Sequence, residues 1–302
     1  MASDSTPLSS TNNELPLPLQ TEAIIALTQL TAIVVTGKEN TTYLNSLLTN
    51  DITQLTDEKA QYSGLCNPKG RLIASFILLK KATTYYLVID KSLAQSVVSD
   101  LLRFRFRSQV DITPLPSSYC CYGLNMAHTS VLPDTPSAYA ALPHQTLIPR
   151  YLMICPEQNG INNRLLAEHY WYWLDIQQYF TTITEETSGQ FTPQQIDYDR
   201  YGVSFNKGCY PGQEVVARLH YLGQSNRQLV LASASTLIAP PELGSPCFNQ
   251  AGETVGHLVN ITHNTQQTIG LISIKKSCTD AIVTLNNQQH LDLHHSACAQ
   301  DE

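Results

Sequence analysis

Residues 204–218 read SFNKGCYPGQEVVAR, and this stretch decides how the rest of the chain is interpreted. Gly208 and Gly212 permit backbone angles or close approaches that a side chain would block. Pro211 fixes one φ angle between them, because its ring restricts rotation about the N–Cα bond. The segment therefore predicts a stiff loop that displays the Cys209 side chain in a set direction.

The residues after this loop predict a helix that begins near Gln213. Glu214 then lies in the first turn, where the helix dipole favours a carboxylate. A thiol beside a lysine and ahead of a helix N-terminus is the arrangement that lowers a cysteine pKa, and Lys207 supplies the lysine. Cys209 is therefore a candidate reactive thiol: a nucleophile, a sulfur carrier or a transient metal-cluster ligand. The alternative is a small buried residue in a tight loop, the role of most free cysteines.

Composition and charge limit the classes of function. The chain has 302 residues and a formal net charge of −7, and its length suffices for two or three domains. Proteins that bind nucleic acid through its phosphates usually carry a basic excess, so the overall charge disfavours direct nucleic-acid binding. Apolar runs such as residues 73–79 are too short to span a bilayer. The eight irregularly spaced cysteines are typical of reduced thiols, and we expect a cytoplasmic protein without direct membrane association.

The hydrophobic pattern predicts an α+β protein with a β-rich end. Residues 1–20 lack hydrophobic periodicity and predict a flexible tail. Residues 21–222 mix both patterns, with strands predicted at 31–36, 71–80, 84–89 and 151–155, helices at 39–50, 92–103 and 163–180, and a loop at 129–147. Residues 223–302 contain short alternating runs, which predict a small β-barrel or sandwich domain followed by a polar tail.

The C-terminal end of the helix predicted at 92–103 carries three arginines in the pattern RFRFR. Cations near a helix C-terminus are favourable and usually solvated, which is the simpler interpretation of Arg103, Arg105 and Arg107. A phosphate- or carboxylate-binding patch is the alternative. Direct tRNA binding would require these arginines to join other cations in one continuous surface.

The string from Lys207 through Arg218, Lys-Gly-Cys-Tyr-x-Gly-Gln-Glu-x-Val-Ala-Arg, resembles the signature of the YgfZ family. These are folate-binding relatives of the glycine-cleavage T-protein, an aminomethyltransferase. Residues 188–194 (SGQFTPQ) and 202–205 (GVSF) are similar to the segments that lead into this signature. The stretch 43–51, ending Thr-Asn-Asp, is similar to the N-terminal half of the family. The resemblance extends over roughly residues 25–295 and is loose in the C-terminal part.

The resemblance implies a fold, a cofactor and partners. The fold would consist of intertwined aminomethyltransferase-like folate-binding domains with a central cavity, followed by a C-terminal β-barrel. The ligand would be tetrahydrofolate or a derivative, and the partners would be iron–sulfur proteins such as enzymes that thiolate tRNA. Cys209 and Lys207 become the candidate catalytic residues. The candidate cofactor-binding residues are Leu30, Trp171, Tyr210, Gln213, Glu214 and Arg218.

Three positions depart from the family pattern. Leu30 stands where some members have a ligand-contacting tryptophan, and Asp197 stands where members have an asparagine. Val97 stands where the aminomethyltransferase has the aspartate that acts on the folate nitrogen, and Asp90, seven residues earlier, is not expected to replace it. The resemblance therefore favours an accessory factor that assembles or repairs iron–sulfur enzymes. A folate-dependent one-carbon transferase is the alternative, and enzymatic activity stays open.

One further cluster suggests metal binding. His290, His294, His295 and Cys298 lie close together near the C-terminus. The spacing of the first two histidines suits one face of a helix. The segment follows a β-rich region and ends in a polar stretch, so an exposed tail is the favoured interpretation and we predict no metal site.

Overall fold

A computed structural model describes the parts of the chain that carry the fold. The described residues are 23–125, 137–143, 149–157, 165–223, 225–235, 241–264, 266–278, 283–285 and 289–294. The flexible tail predicted at residues 1–20 lies outside them, as does most of the loop predicted at 129–147. No helix among the described residues is both long and apolar enough to cross a membrane.

The described residues form strands that belong to two sheets and a barrel. In chain order they are β1 (Ala23–Ala26), β2 (Leu30–Thr36), β3 (Gln61–Cys66), β4 (Leu72–Lys81), β5 (Thr84–Asp90), β6 (Asp111–Pro114), β7 (Tyr119–Asn125), β8 (Ala138–Ala141), β9 (Arg150–Pro156), β10 (Leu165–Leu166), β11 (Arg227–Ser235), β12 (Pro246–Phe248), β13 (Thr254–His263), β14 (Gln267–Lys275), β15 (Val283–Thr284) and β16 (His290–His294). The helices are α1 (Asn40–Asn45), α2 (Ala94–Phe104), α3 (His169–Gln177) and α4 (Gln213–Tyr221).

The first sheet has the strand order β3-β4-β5-β2-β6. Its strand β2 carries the β-branched run that the sequence predicts as a strand, and it pairs antiparallel with β5, with Ile33 opposite Leu87. Helix α2 covers this sheet with Val97, Val98 and Leu101, all buried in its core. The predicted amphipathic helix is therefore present and uses its apolar face for packing.

The second sheet has the order β10-β1-β7-β9-β8. Strand β1 enters it before the chain builds the first sheet, and β7 returns to pair with β1 afterwards. The two sheets are thus intertwined in sequence, as the family resemblance implies.

Two predictions for this region are wrong. Residues 138–141 form β8 where a loop is predicted, because the alternating residues of Ala138–Ala141 pair with β9. The helix predicted at 163–180 is shorter, because Leu165–Leu166 pairs parallel with β1 and α3 begins only at His169.

Helix α1 is also shorter than the 39–50 that periodicity predicts. It ends at Asn45, and the chain then turns so that Leu48 bridges to Leu65 and Thr49 bonds to the backbone of Gly64. Leu47 and Leu48 are buried all the same. Apolar spacing identified the buried side chains correctly, while pairing with β3 decided the backbone.

The C-terminal strands close into a barrel in the order β11-β14-β13-β12-β15-β16. Its interior holds small and branched apolar side chains, among them Val230, Val255 and Ile272. Residues 290–294, which the sequence assigns to an exposed tail, form strand β16 and pair with β11 and β15. The domain boundaries proposed at residues 20 and 222 stay a prediction.

Candidate functional site

The cysteine loop is fixed by a close backbone contact at its end. Gly212 has φ +81°, and a Cβ there would lie 2.4 Å from the Asn67 carbonyl oxygen and 2.8 Å from the Gly70 Cα. Only glycine fits this position, for conformation and for space. Gly208 differs, because an added Cβ would meet nothing within 4 Å. The loop is therefore anchored at Gly212 against the turn between β3 and β4.

Lys207 anchors the other end of the loop. Its Nζ donates hydrogen bonds to the carbonyl oxygens of Asn45 at 2.6 Å, Leu48 at 2.5 Å and Asn50 at 3.1 Å. The ammonium group thus binds carbonyls at the C-terminal end of helix α1 and in the segment after it, where the backbone leaves acceptors free. Its burial lowers the pKa of Lys207 to about 8. The catalytic role predicted for Lys207 stays a prediction, while its contacts in the structure hold the loop to α1.

Between these anchors Cys209 is exposed and Tyr210 is buried. The Lys207 Nζ lies 5.4 Å from the centroid of the Tyr210 ring. Helix α4 starts directly after Gly212, as predicted, with Glu214 exposed in its first turn and Arg218 exposed in its last. The arrangement presents one thiol to solvent on a backbone held at both ends.

A narrow cavity lies between the first sheet and helix α3. The cavity has a volume of about 20 Å³, enough for one or two waters. Its walls are apolar and aromatic side chains with a few polar groups: Leu30, Tyr62, Ser75, Phe76, Ile77, Val88, Ile89, Asp90, Trp171, Tyr172, Asp175, Phe180, Thr181, Thr182 and Tyr198.

Two polar groups of this cavity have unusual surroundings. Burial raises the pKa of Asp90, and the nearby carboxylates of Glu186 and Glu168 raise it further, although Ser92 donates two hydrogen bonds to it. The Tyr62 hydroxyl is buried and makes no hydrogen bond within the described part of the chain. A buried polar atom without a partner is costly, so Tyr62 offers an unused hydrogen-bonding group beside the cavity.

Trp171 is part of the cavity wall and of the core at once. Its side chain is 1 % exposed, and a Cβ on Gly123 would lie 2.3 Å from its ring. The Arg150 guanidinium lies 4.6 Å from the ring centroid and forms a buried ion pair with Asp175 at 2.8 Å. The Asp175 pKa is raised by burial, and Arg150 opposes that shift. Cation, indole and carboxylate thus form one packed stack behind the cavity.

The structure separates the predicted site residues into two groups. Leu30 and Trp171 line the cavity, whereas Tyr210, Gln213, Glu214 and Arg218 belong to the loop and helix α4 and are not part of its wall. Cys209 and Lys207 do not line the cavity either. Folate contacts by the second group, and catalytic roles for Cys209 and Lys207, stay predictions.

Asn50 connects the two groups. Its side-chain amide donates to the carbonyl oxygens of Tyr62 at 2.9 Å and Tyr201 at 3.3 Å, and its own carbonyl accepts from Lys207. Thr49 reinforces this connection by donating to the Gly202 carbonyl at 2.6 Å. A short path of direct contacts therefore runs from the cavity wall to the cysteine loop.

The remaining candidates lie elsewhere. Val97 lies on α2, and its side chain is buried in the core. Asp197 has φ +52°, a left-handed conformation that asparagine also tolerates. Burial raises the pKa of Asp197 to about 6. All three arginines of the RFRFR segment are exposed, as is the Phe106 side chain between the last two.

His290 and His294 lie on strand β16, and the Nε2 of His294 is 2.6 Å from the Ser233 hydroxyl. His295 and Cys298 are outside the described residues. Within the described ranges no group of three or more metal-ligating side chains converges.

Comparison with known proteins shows which proteins this chain is similar to. The GCVT N-terminal domain family matches residues 11–125. The tRNA-modifying protein YgfZ of Colwellia psychrerythraea is 28% identical over 266 residues, which cover 81% of this chain and 82% of that protein. The protein of the same name from Escherichia coli O157:H7 is 28% identical over 263 residues, 79% of this chain and 78% of its own. The resemblance to the YgfZ family is confirmed.

A solved structure supports the fold. The glycine cleavage system aminomethyltransferase T from Bartonella henselae superposes with a TM-score of 0.66, covering 91% of this chain and 85% of that one at 15% identity. The predicted fold class, an α+β aminomethyltransferase-like architecture with a C-terminal β-barrel, is therefore confirmed.

Sequence reasoning missed three residues of this region. Asp90 lies seven residues before the expected catalytic position, yet it lines the cavity. Tyr62 carries no sequence signal, because an isolated tyrosine in a strand is ordinary core. Asn50 belongs to the similar stretch Thr-Asn-Asp, but its contacts involve Tyr201 and Lys207, more than 150 residues away.

Proposed function

We propose that this protein is a folate-binding accessory factor of the cytoplasm that supports the assembly or repair of iron–sulfur enzymes, among them enzymes that modify tRNA. The observation that carries the proposal is the exposed Cys209 thiol on a loop anchored by Lys207 and Gly212. Similarity to relatives named tRNA-modifying protein YgfZ supports the tRNA-related part. The aminomethyltransferase-like fold and its cavity support the folate part.

The chemistry of the cavity suits a pterin, and its width requires a rearrangement. A pterin is a flat ring with hydrogen-bonding edges, and the cavity combines aromatic walls with the Asp90 carboxyl and the unpaired Tyr62 hydroxyl. The open volume is smaller than such a ring, so side chains on the wall must move before it enters. Bound tetrahydrofolate would supply a carrier for one-carbon units.

Cys209 acts on a partner protein in this proposal. Its thiol faces solvent and does not line the cavity, so a partner reaches it without entering the fold. Lys207 holds the loop in place, and Asn50 joins the loop to the cavity wall. Occupation of the cavity can therefore influence how the thiol is presented, through contacts that already exist.

The cysteine is tested by complementation. In cells that lack the protein, Cys209→Ser should accumulate normally and fail to restore the activity of an iron–sulfur tRNA-thiolating enzyme. Cys278→Ser, which removes a half-exposed thiol from the barrel, is the matched control and should restore it. Full restoration by Cys209→Ser would overturn the cysteine-centred mechanism.

The cavity is tested by titrating tetrahydrofolate while tryptophan fluorescence is recorded. The chain has two tryptophans, so Trp171→Phe leaves only Trp173 and Trp173→Phe leaves only Trp171. We expect saturable quenching in the wild type and in Trp173→Phe, and its loss in Trp171→Phe. Quenching carried by Trp173 alone, or no response to any reduced folate, would contradict binding in this cavity.

A folate-dependent one-carbon transferase is the second candidate, and the position of Asp90 in the cavity wall favours it. Val97 cannot move a proton, whereas Asp90 faces the cavity with a raised pKa, as a general acid or base requires. This candidate predicts turnover of tetrahydrofolate with a small amine donor, lost in Asp90→Asn. Absence of turnover in the wild type, with folate binding intact, leaves the accessory role as the sole function.

A further inference from the structure

Two cysteines of the second sheet lie directly opposite each other. Cys120 on β7 is the register partner of Cys155 on β9. Opposite residues of an antiparallel pair have Cα atoms about 4.5–5.5 Å apart, and disulfides join Cα atoms about 4.4–6.8 Å apart. Both side chains pack in the same apolar cluster, with Tyr122 and Met153, so they lie on one face of the sheet.

The neighbouring Cys121 has a different environment. Successive side chains of a strand point to opposite faces, and Cys121 packs in the cluster that contains Trp171. It therefore shares the strand with Cys120 but does not face Cys155. This makes Cys121 an internal control for any reaction that depends on the cross-strand geometry.

The two facing thiols differ in access to solvent. Cys155 is fully buried, and burial together with the nearby Cys120 raises its pKa to about 11. Cys120 is half-exposed. An oxidant arriving from solvent therefore meets Cys120 first, while Cys155 lies within reach behind it.

We infer that Cys120 and Cys155 are a modification site at which a peroxide forms a disulfide within the sheet. Hydrogen peroxide oxidises the Cys120 thiol to a sulfenic acid and releases one water. The Cys155 sulfur then displaces the hydroxyl group, and its proton leaves with that group as a second water when the S–S bond forms. The two thiols lose two electrons and two protons, and the peroxide O–O bond is reduced.

This site is separate from the proposed function and stands whether or not that function holds. The disulfide would join β7 and β9, the strands that carry Gly123 behind Trp171 and Arg150 beside it. It would fix the sheet behind the cavity without involving Cys209.

The experiment treats the full chain carrying Cys209→Ser with a small excess of hydrogen peroxide, then alkylates the remaining thiols and maps cross-linked peptides by mass spectrometry. We expect a peptide pair joined through Cys155, two hydrogens lighter than the free thiols and separated by a reductant. Cys121→Ser should retain the cross-link, and Cys120→Ser should abolish it.

Fragmentation of the cross-linked peptide keeps the test decisive if Cys120→Ser does not fold, because it distinguishes Cys120 from Cys121 in the parent chain. A link to Cys121 would overturn the inference. So would Cys120 and Cys155 both remaining free while the chain is folded, or Cys120 proceeding to a sulfinic acid without any cross-link.

Discussion

The stack of Arg150, Trp171 and Asp175 behind the cavity and the cysteine loop use similar residues for different purposes. Each contains a cation, an aromatic ring and backbone neighbours. Behind the cavity, Arg150 is fully buried and pairs with the Asp175 carboxylate next to Trp171. In the loop, Lys207 is half-buried and pairs with neutral carbonyls next to Tyr210. The first arrangement stabilises an interior, and the second holds a reactive group at the surface.

The two regions should respond differently to substitution. A buried ion pair fails badly when one partner is lost, because the other charge stays in a medium of low dielectric. Replacing a lysine that binds only carbonyl oxygens removes hydrogen bonds, but it leaves no buried carboxylate without a counter-charge. Substitutions in the stack behind the cavity should therefore have the larger effect on the free energy of unfolding. Substitutions in the loop should mainly affect the reactivity of Cys209.

The largest effect is expected from Arg150→Met. It leaves the Asp175 carboxylate buried without its cation, and the free energy of unfolding should fall by about 3–5 kcal/mol. Urea denaturation followed by circular dichroism measures it. Arg150→Met combined with Asp175→Leu should recover most of the loss, and Arg103→Met at the exposed pair with Asp100 should cost little. If Arg150→Met alone lowers the free energy of unfolding only slightly, the stack behind the cavity is not the stabilising element.

A smaller, local effect is expected from Gly212→Ala. The added Cβ meets the Asn67 carbonyl at a positive φ, so the free energy of unfolding should fall by about 2 kcal/mol or more. Gly208→Ala, in the same loop with open space around its Cα, should cost under about 1 kcal/mol. Equal costs at the two glycines would mean that the loop is not anchored where the structure places its anchor.

Asn50→Ala tests whether the cavity wall and the cysteine loop are coupled, because Asn50 contacts both. It removes hydrogen bonds to the backbone of Tyr62 and Tyr201, and the free energy of unfolding should fall by about 1–2 kcal/mol. The rate at which iodoacetamide alkylates Cys209 should rise, because the segment that binds Lys207 is loosened. Asn249→Ala, in a turn of the barrel, is the control and should leave that rate unchanged. An unchanged rate in Asn50→Ala would mean that the loop is independent of the cavity wall.

The last effect is the pH dependence of stability that Lys207 contributes. Its pKa is about 8 in the folded state, below the ordinary value of 10.5, so on raising the pH the folded state releases this proton first. Between pH 8 and 10.5 the unfolded chain holds the proton and the folded chain does not, so this group makes stability rise with pH.

The difference in free energy of unfolding between wild type and Lys207→Met should therefore shift in favour of the wild type from pH 8 to pH 10. NMR of the lysine side chains should show one Cε signal titrating near pH 8, absent in Lys207→Met. A Lys207 signal that titrates with the exposed lysines would contradict the half-buried site.

The sequence predicted much of the fold and one half of the candidate site. Local patterns sufficed for β2, α2 and the barrel strands β11, β13 and β14, because their apolar periodicity coincides with the pairing they adopt. The glycines and the proline of residues 204–218 identified the loop, since these residue types favour tight turns wherever they occur. Predictions failed where a partner decided the backbone: Leu165–Leu166 and Ala138–Ala141 became strands beside β1 and β9.

The other half of the site depended on the tertiary structure. Nothing local in Asp90, Tyr62 or Asn50 marks them, because each acquires its property from residues distant in sequence. The pKa of Asp90 is raised by burial and by carboxylates contributed from other segments, and the hydrogen bonds of Asn50 span the chain. Lys207 shows the same division: its place beside Cys209 is fixed by sequence, and the three carbonyls that hold it are supplied only by the folded chain.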